Sequence, residues 1–119
     1  MDASQEKATN ALTPIAFEIL LSLARGPQHG YGIKLDIEER TAGHLSLGSG
    51  TLYQAIQRLE RSGLIAESKS VTANRDARRG RSYALRRAGK QALAFELRRL
   101  NRVVEYARAN DLLSDLETT

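Results

Sequence analysis

Hydrophobic residues fall into blocks along this chain, and the first block predicts a helix inside the core. The segment Ile15–Ala24 is apolar at eight of its ten positions, and a helix that is apolar almost all round is usually central to a small domain. Thr13 can serve as its N-cap, with Pro14 in the first helical position. Gly26 and Pro27 then end the helix.

The next block predicts a second helix, which starts near Gly30 and stops at Thr41–Gly43. Four residues are expected to supply its buried side: Tyr31, Ile33, Leu35 and Ile37. The alternation in Leu45–Leu47 then predicts at most a short strand.

A third helix is predicted to start at Ser49, which can act as its N-cap, and to end before Gly63. Leu52, Ile56 and Leu59 recur at spacings of four and three, which is typical of one buried helix face. The other faces carry polar or charged residues, namely Thr51, Gln54, Gln57, Arg58 and Arg61. This helix is therefore amphipathic.

A β-hairpin is predicted between the third helix and the last one. Leu64–Val71 begins apolar and then alternates, and Arg81–Leu85 places Tyr83 and Leu85 two residues apart. The connection Thr72–Gly80 is polar, so the two strands are expected to carry a long basic tip.

The final helix is predicted to run from Ala88 to Leu113, and it carries a seam of apolar residues. The seam repeats at spacings of four and three through Leu93, Leu97, Leu100, Val104 and Ala107. A helix of about 24 residues is about 36 Å long, which is too long for a body of this size to cover. The seam therefore favours a homodimer, although it leaves open that the helix packs back on its own domain.

Composition limits the chain to one domain and excludes several kinds of site. The chain has 119 residues and no cysteine, so disulfides and thiolate metal sites are excluded. It has two histidines and no apolar run of membrane-spanning length, so we expect no metal site, no cofactor and no membrane contact. Because Met1–Asn10 lacks the apolar region of a signal peptide, we expect a cytoplasmic protein.

Positive charge is concentrated in one segment of the chain. Residues 69–90 hold eight basic residues against one aspartate, a net +7, while the chain as a whole is +4 and the remainder is −3. A concentrated basic block on a mildly acidic body favours a polyanionic partner.

The order of these elements predicts a mainly α (α+β) fold, a winged helix-turn-helix with a two-stranded β-wing and a long C-terminal dimerisation helix. Such a third helix fits the major groove of duplex DNA, and arginines on the wing can hold the phosphate backbone. We expect a flexible arm over 1–11, a DNA-binding domain over 12–87, a dimerisation helix over 88–113 and a tail over 114–119.

Several short motifs resemble those of the PadR family of bacterial regulators. They are His29-Gly30-Tyr31-Gly32-Ile33, Leu45-Ser46-Leu47, Gly50-Thr51-Leu52-Tyr53, Leu59–Ile65, Arg79–Leu85 and Ala88-Gly89. Together they cover about residues 12–110, and the single C-terminal helix resembles the shorter subgroup. The resemblance implies a homodimeric repressor that is often relieved by a small-molecule effector. It also maps Tyr31, Ser49, Thr51, Tyr53 and the wing arginines onto DNA-contacting positions.

The chain departs from the family pattern at three positions. Ser49 and Gln54 stand where many members have proline, and Arg86 stands where members often have a capping threonine. Gln54 can hydrogen-bond adenine, so it alters the expected base preference. The chain also has no tryptophan, so an effector pocket built on stacked indoles is not available.

We therefore predict a sequence-specific transcriptional regulator that binds double-stranded DNA. The residues predicted to contact DNA are Tyr31, Ser49, Thr51, Tyr53, Gln54, Arg58, Arg78, Arg79 and Arg81. An alternative is a winged-helix assembly module whose basic wing binds an acidic protein, and RNA is a weaker option. No spacing in the chain resembles a nucleophile elbow, so we predict no catalytic residue and no enzyme activity.

Overall fold

The computed structural model describes residues 12–69 and 80–117, and its elements follow the order that the sequence predicts. The helices are α1 (Pro14–Leu23), α2 (Gly30–Arg40), α3 (Ser49–Arg61), α4 (Arg87–Ala109) and α5 (Leu112–Glu117). The strands are β1 (Gln28–His29), β2 (Ile65–Ser68) and β3 (Ser82–Leu85). Helices dominate, and the small sheet lies beside them, so the predicted mainly α winged helix is confirmed.

The N-terminus of α1 has the cap that the sequence predicts. The Thr13 Oγ1 accepts a hydrogen bond from the Ala16 N–H at 3.1 Å, and Pro14 takes the first helical position. This bond satisfies one of the N–H groups that a helix leaves unpaired in its first turn. At the other end Gly26 adopts a φ of +138°, a conformation that favours glycine.

The sheet has three antiparallel strands in the order β1–β3–β2. The strands β2 and β3 form the predicted two-stranded wing, with Glu67 opposite Tyr83. The third strand, β1, pairs Gln28 with Tyr83 on the other edge of β3, and the sequence did not predict it. A strand of two residues is too short to show a periodic pattern in the sequence. It is recognised only from its pairing with β3 in the structure.

Leu45–Leu47 forms no strand, although its alternating pattern allowed a short one. Leu47 instead packs in the hydrophobic core, and Leu45 lies partly buried against that core. Alternation over three residues thus reflected the burial of two leucines in a connecting loop.

The core is built from all three helices of the domain, the sheet and the start of α4. Its buried members are Ile19, Leu20, Leu23, Ile33, Ile37, Leu47, Leu52, Ile56, Leu59, Ile65, Tyr83 and Leu93. The predicted buried face of α3 is therefore confirmed, and α1 contributes three side chains to the same core.

Two of the four residues predicted to be buried in α2 lie on its surface. Tyr31 is 62% exposed and Leu35 is 46% exposed, whereas Ile33 and Ile37 are fully buried. Residues two apart point to nearly opposite sides of a helix, whereas residues four apart share a face. The prediction for Tyr31 and Leu35 was wrong because it applied a strand-like spacing to a helix.

The start of α3 differs by one residue from the prediction. Gly48 is the N-cap, its carbonyl accepts from the Leu52 N–H at 3.0 Å, and Ser49 is the first helical residue. Ser49 thus is not the cap. No side chain caps this helix, so its first-turn N–H groups donate no hydrogen bond to a capping oxygen.

The last helix ends before the predicted Leu113. The helix α4 stops at Ala109, Asp111 adopts a φ of +59°, and α5 follows as a separate short helix. The Asn110 Nδ2 donates to the Tyr106 carbonyl at 2.8 Å. Asn and Asp are the residues that most readily leave the helical conformation in this way, so the pair ends α4.

A polar network ties α1 to α2. Arg40 donates to the Glu18 carboxylate, to the Ser22 Oγ at 2.7 Å and to Asp36 at 3.1 Å, while the Ser22 hydroxyl donates to Asp36 at 2.7 Å. Burial raises the pKa of Asp36, but the hydrogen bonds from Ser22 and Arg40 outweigh it and hold that pKa below its usual value. The network therefore links the two helices through their side chains.

Candidate nucleic-acid interface

The exposed side of α3 collects most of the residues predicted to contact DNA. Leu52, Ile56 and Leu59 face the core. The exposed residues of the helix include Ser49, Thr51, Tyr53, Gln54, Gln57, Arg58 and Arg61. This side combines hydroxyl, amide and guanidinium groups, which are the groups that donate to base edges and phosphates in a groove.

The N-terminus of α3 is open and carries no opposing charge. Gly48, Ser49, Gly50 and Thr51 are all exposed, and the first turn has no acidic residue. Free N–H groups and the helix dipole favour an anion at such a terminus. A DNA phosphate can approach it closely because the two glycines carry no side chain.

Tyr53 links α3 to the start of α2. Its ring lies against Gly30, the first residue of α2, and the side chain remains 40% exposed. Tyr31 follows Gly30 directly and is exposed as well. The structure thus brings the predicted tyrosines, which are 22 positions apart in the sequence, to the same end of α2.

Tyr83 of β3 belongs to the same hydrophobic core as the buried face of α3. It is almost fully buried in the central strand β3. Burial is the main cause that raises its pKa, followed by the nearby carboxylate of Glu60; Tyr53 and Glu67 act in the same direction. The spacing of Tyr83 predicts only its place in a strand and does not signal its electrostatic interaction with Glu60 of α3.

The wing is described only near its base. Arg81 is exposed, and its Nε lies 3.6 Å from the Glu67 Oε1, a long ion pair across the two strands. Exposed pairs of this kind contribute little stability, so the guanidinium can exchange Glu67 for a phosphate at small cost. Arg78 and Arg79 lie outside the described residues, and their role stays a prediction.

The predicted dimerisation seam divides into two parts. Leu93 is buried in the core of its own domain, and Leu100 and Ala107 are partly buried. Leu97 and Val104 are exposed. Leu93 therefore already has its packing partners within one chain, whereas Leu97 and Val104 do not have such cover.

The exposed apolar surface of α4 is wider than the heptad pattern predicts. Val103 is 52% exposed and Tyr106 is 68% exposed. These two residues are three positions apart, so they share a face of α4 that lies to one side of Val104. A heptad seam selects one narrow stripe, so it did not include these two residues. We call Leu97, Val103 and Val104 the apolar strip.

An ion pair between the buried Glu96 and the more exposed Arg99 lies between the two parts of the seam. Glu96 is buried, and its carboxylate accepts two hydrogen bonds from Arg99, each of 2.8 Å. These bonds are the main cause that lowers the pKa of Glu96. Glu96 shares the face of Leu93 and Leu100, and sequence periodicity did not distinguish it from a solvated glutamate.

Within residues 12–69 and 80–117, the structure shows neither a cluster of metal-ligating side chains nor a helix long and apolar enough to cross a membrane.

Comparison with known protein families gives one match that covers most of the chain. The transcriptional regulator PadR-like family matches residues 19–95. This range includes α2, α3, the wing and the first part of α4. The predicted resemblance is therefore confirmed, and so is the prediction of a regulator and not an enzyme, since the family consists of transcriptional regulators.

Solved structures share the fold. A PadR family transcription regulator from Clostridium difficile R20291 is 24% identical, with a TM-score of 0.67 over 82% of this chain and 97% of that one. Bacillus subtilis PadR, solved in complex with operator DNA, is 23% identical, with a TM-score of 0.59 over 71% of this chain and 47% of that one.

One curated relative is more similar in sequence. An uncharacterized 37.1 kDa protein in transposon TN4556 of Streptomyces fradiae is 37% identical over 107 residues, which is 85% of this chain. The match spans 29% of that relative, so the chain corresponds to less than a third of its length.

Proposed function

Because this chain belongs to the PadR-like family of transcriptional regulators, we propose that it is a homodimeric repressor that binds a specific sequence in duplex DNA. The observation that carries this proposal is the exposed side of α3, where polar groups follow an open helix N-terminus and Arg58 and Arg61 lie in the last turn. Bacillus subtilis PadR has the same fold and was solved with operator DNA, which supports this mode of binding.

In this proposal α3 lies in the major groove and chooses the sequence. Thr51 and Gln54 are exposed in its first half, where side chains reach base edges most easily. Arg58, Tyr31 and Tyr53 contact the flanking backbone, and Arg78, Arg79 and Arg81 hold the phosphates beside the wing. Phosphate contacts supply affinity and salt dependence, whereas base contacts supply specificity.

The apolar strip of α4 is the proposed dimer interface. The C-terminal half of α4 extends beyond the core, because the last core residue along the chain is Leu93. Large exposed apolar surfaces on a helix mark a binding site, and a second copy of α4 is the simplest cover for them. Dimerisation would then set the distance between two α3 helices, each of which reads one half-site.

Repression follows from a dimer that occupies DNA near a promoter, in the cytoplasm of a bacterial cell. A small effector would act by changing the spacing of the two α3 helices, since a ligand shifts an equilibrium only if it prefers one arrangement. The apolar strip favours an apolar effector. Its binding site would not contain stacked indoles, because the chain has no tryptophan.

Selection from a random duplex library tests the proposal directly. The protein should enrich a pseudo-palindrome whose half-sites lie about 10 bp apart, and nuclease protection should cover both. Thr51→Ala and Gln54→Ala should change the enriched bases. Failure to enrich any sequence, together with binding of acidic polypeptides, would instead support the assembly module.

Wing contacts need their own variant and control. The triple change Arg78→Ala, Arg79→Ala and Arg81→Ala should weaken binding to every duplex and reduce the salt slope by about three charges. A matched control removes three exposed arginines of α4, namely Arg98, Arg102 and Arg108. An equal loss of slope in both proteins would contradict a specific role for the wing.

A further inference from the structure

The helices α2 and α3 are in close contact where the Tyr53 ring lies against Gly30. A Cβ atom placed on Gly30 would stand 2.5 Å from the Tyr53 hydroxyl oxygen, 2.8 Å from Cζ and 3.0 Å from Cε1. Real Cβ atoms essentially never approach other heavy atoms below 3.0 Å. Any other residue at position 30 therefore requires the Tyr53 ring to move.

The direction of that movement is restricted by the surroundings of Tyr53. The buried Tyr83 and the core lie on the inner side of α3. The exposed 40% of the Tyr53 side chain faces solvent. Because a close-packed interior resists the insertion of further atoms, we expect a displaced ring to turn outward, onto the surface that the proposed function assigns to DNA.

We propose that Gly30 is a positioning residue for DNA binding, because its missing side chain allows the Tyr53 hydroxyl to rest at the N-terminus of α2. Gly30 itself need not touch DNA. The inference rests on the proposed function, and it adds that the placement of Tyr53 depends on a residue of another helix.

Three variants form a thermodynamic cycle with the parent: Gly30→Ala, Tyr53→Ala and the double variant. The probes are the duplex enriched by the parent and a mixed-sequence duplex of the same length. Gly30→Ala should weaken binding to the enriched duplex by about tenfold, since overpacking displaces the ring. The double variant should bind no more weakly than Tyr53→Ala, because the effect of Gly30 passes through the ring.

Gly32→Ala is the matched control in the same helix. There an added Cβ would lie 3.3 Å from the Gln28 side-chain oxygen, a contact that requires a shift of only a few tenths of an ångström. This variant should bind the enriched duplex within about twofold of the parent, because so small a shift of Gln28 does not reach the Tyr53 ring.

Two outcomes would overturn the proposal. One is a Gly30→Ala protein that binds like the parent. The other is an equal loss of affinity from Gly30→Ala in the presence and in the absence of the Tyr53 ring, which would show a general structural role.

Thermal unfolding separates this proposal from the proposed function. Gly30→Ala should lower the Tm when Tyr53 is present and leave it unchanged or raised when Tyr53 is alanine. If Gly30→Ala fails to fold, a folded double variant still supports the contact, and a double variant that also fails contradicts it. A parent that binds no duplex would refute the proposed function, while the Tm cycle would still decide whether Gly30 positions Tyr53.

Discussion

The helices α1 and α4 are both rich in apolar residues, but they differ in how those residues are covered. In α1, Ile19, Leu20 and Leu23 are buried in the core of the domain. In the second half of α4, Val103 and Tyr106 are mostly exposed. Similar composition therefore has different consequences: the domain can surround a helix of ten residues, but it cannot cover one of 23 residues.

The two helices also differ at their N-termini. Thr13 caps α1 through a side-chain hydrogen bond, whereas the N-cap of α4 is Arg86, which makes no such bond. A backbone hydrogen bond holds the start of α4 instead: the Arg86 N–H donates to the carbonyl of Leu64, in the loop after α3, at 3.0 Å. A Cβ on Gly89 would overlap that same carbonyl oxygen, so this glycine lets α4 lie directly on the loop after α3.

The largest effect is expected from truncation in α1. Leu20→Ala removes a fully buried side chain and should lower the free energy of unfolding by about 3 kcal/mol, through lost burial and the cavity left behind. Urea denaturation followed by circular dichroism measures the change. A loss below about 1 kcal/mol would mean that α1 is less central than its burial indicates.

A charge in the apolar strip of α4 should act on assembly more than on folding. Val104→Asp should weaken self-association by about a hundredfold, because a carboxylate without a partner is costly to bury in an interface. Sedimentation equilibrium gives the association constant, and Gln91→Asp, at an exposed polar position of the same helix, is the control. If the Val104→Asp protein remains as dimeric as the parent, the interface lies elsewhere.

The contact between α1 and α2 should depend on pH through Asp36. Its pKa is lowered in the folded state, so its stabilising effect is complete above the usual aspartate pKa and is lost as pH falls through the folded value. Asp36→Asn should cost about 1 kcal/mol near pH 7 and almost nothing near pH 2.

Urea midpoints at the two pH values test this, with Glu38→Gln as the control. Glu38 pairs with Lys34 at 3.6 Å in a partly exposed position on the same helix, and such a pair should contribute less. A difference between the parent and Asp36→Asn that does not shrink in acid would contradict the role of the ionised carboxylate.

The smallest effects should come from the two N-caps, with opposite signs. Thr13→Ala should destabilise the protein by about 1 kcal/mol, and Arg86→Thr should stabilise it by a similar or smaller amount by adding the missing cap. The Tm values of the two single variants and of the pair measure this. If Arg86→Thr lowers the Tm, the arginine side chain has a stabilising contact that outweighs the cap.

Local chemistry explains which parts of the fold were predictable. The Thr13 cap, the buried face of α3 and the order of the helices depend on spacings within a few residues, and these agree with the structure. The cap at Gly48 and the strand β1 have no such local signal. The end of α4 had one, since Asn110 and Asp111 commonly end helices, but the apolar pattern was extended past it.

The candidate site was predictable as a set of residues but not as an arrangement. Thr51, Gln54 and Arg58 lie on the exposed side of α3, as their spacing indicates. The placement of Tyr53 against Gly30 was not predictable, because it depends on how closely two helices approach. Whether each predicted residue contacts DNA stays a prediction, and so do the segment boundaries.

The sequence by itself determined the family, the helical elements and the concentration of positive charge around the wing, because motifs, periodicity and charge are properties of neighbouring residues. Only the tertiary structure decided which apolar residues are covered. Leu93 and Val104 belong to one heptad pattern, yet the first is in the core and the second is exposed. The physical reason is that burial depends on the volume of the surrounding domain, and that volume ends partway along α4.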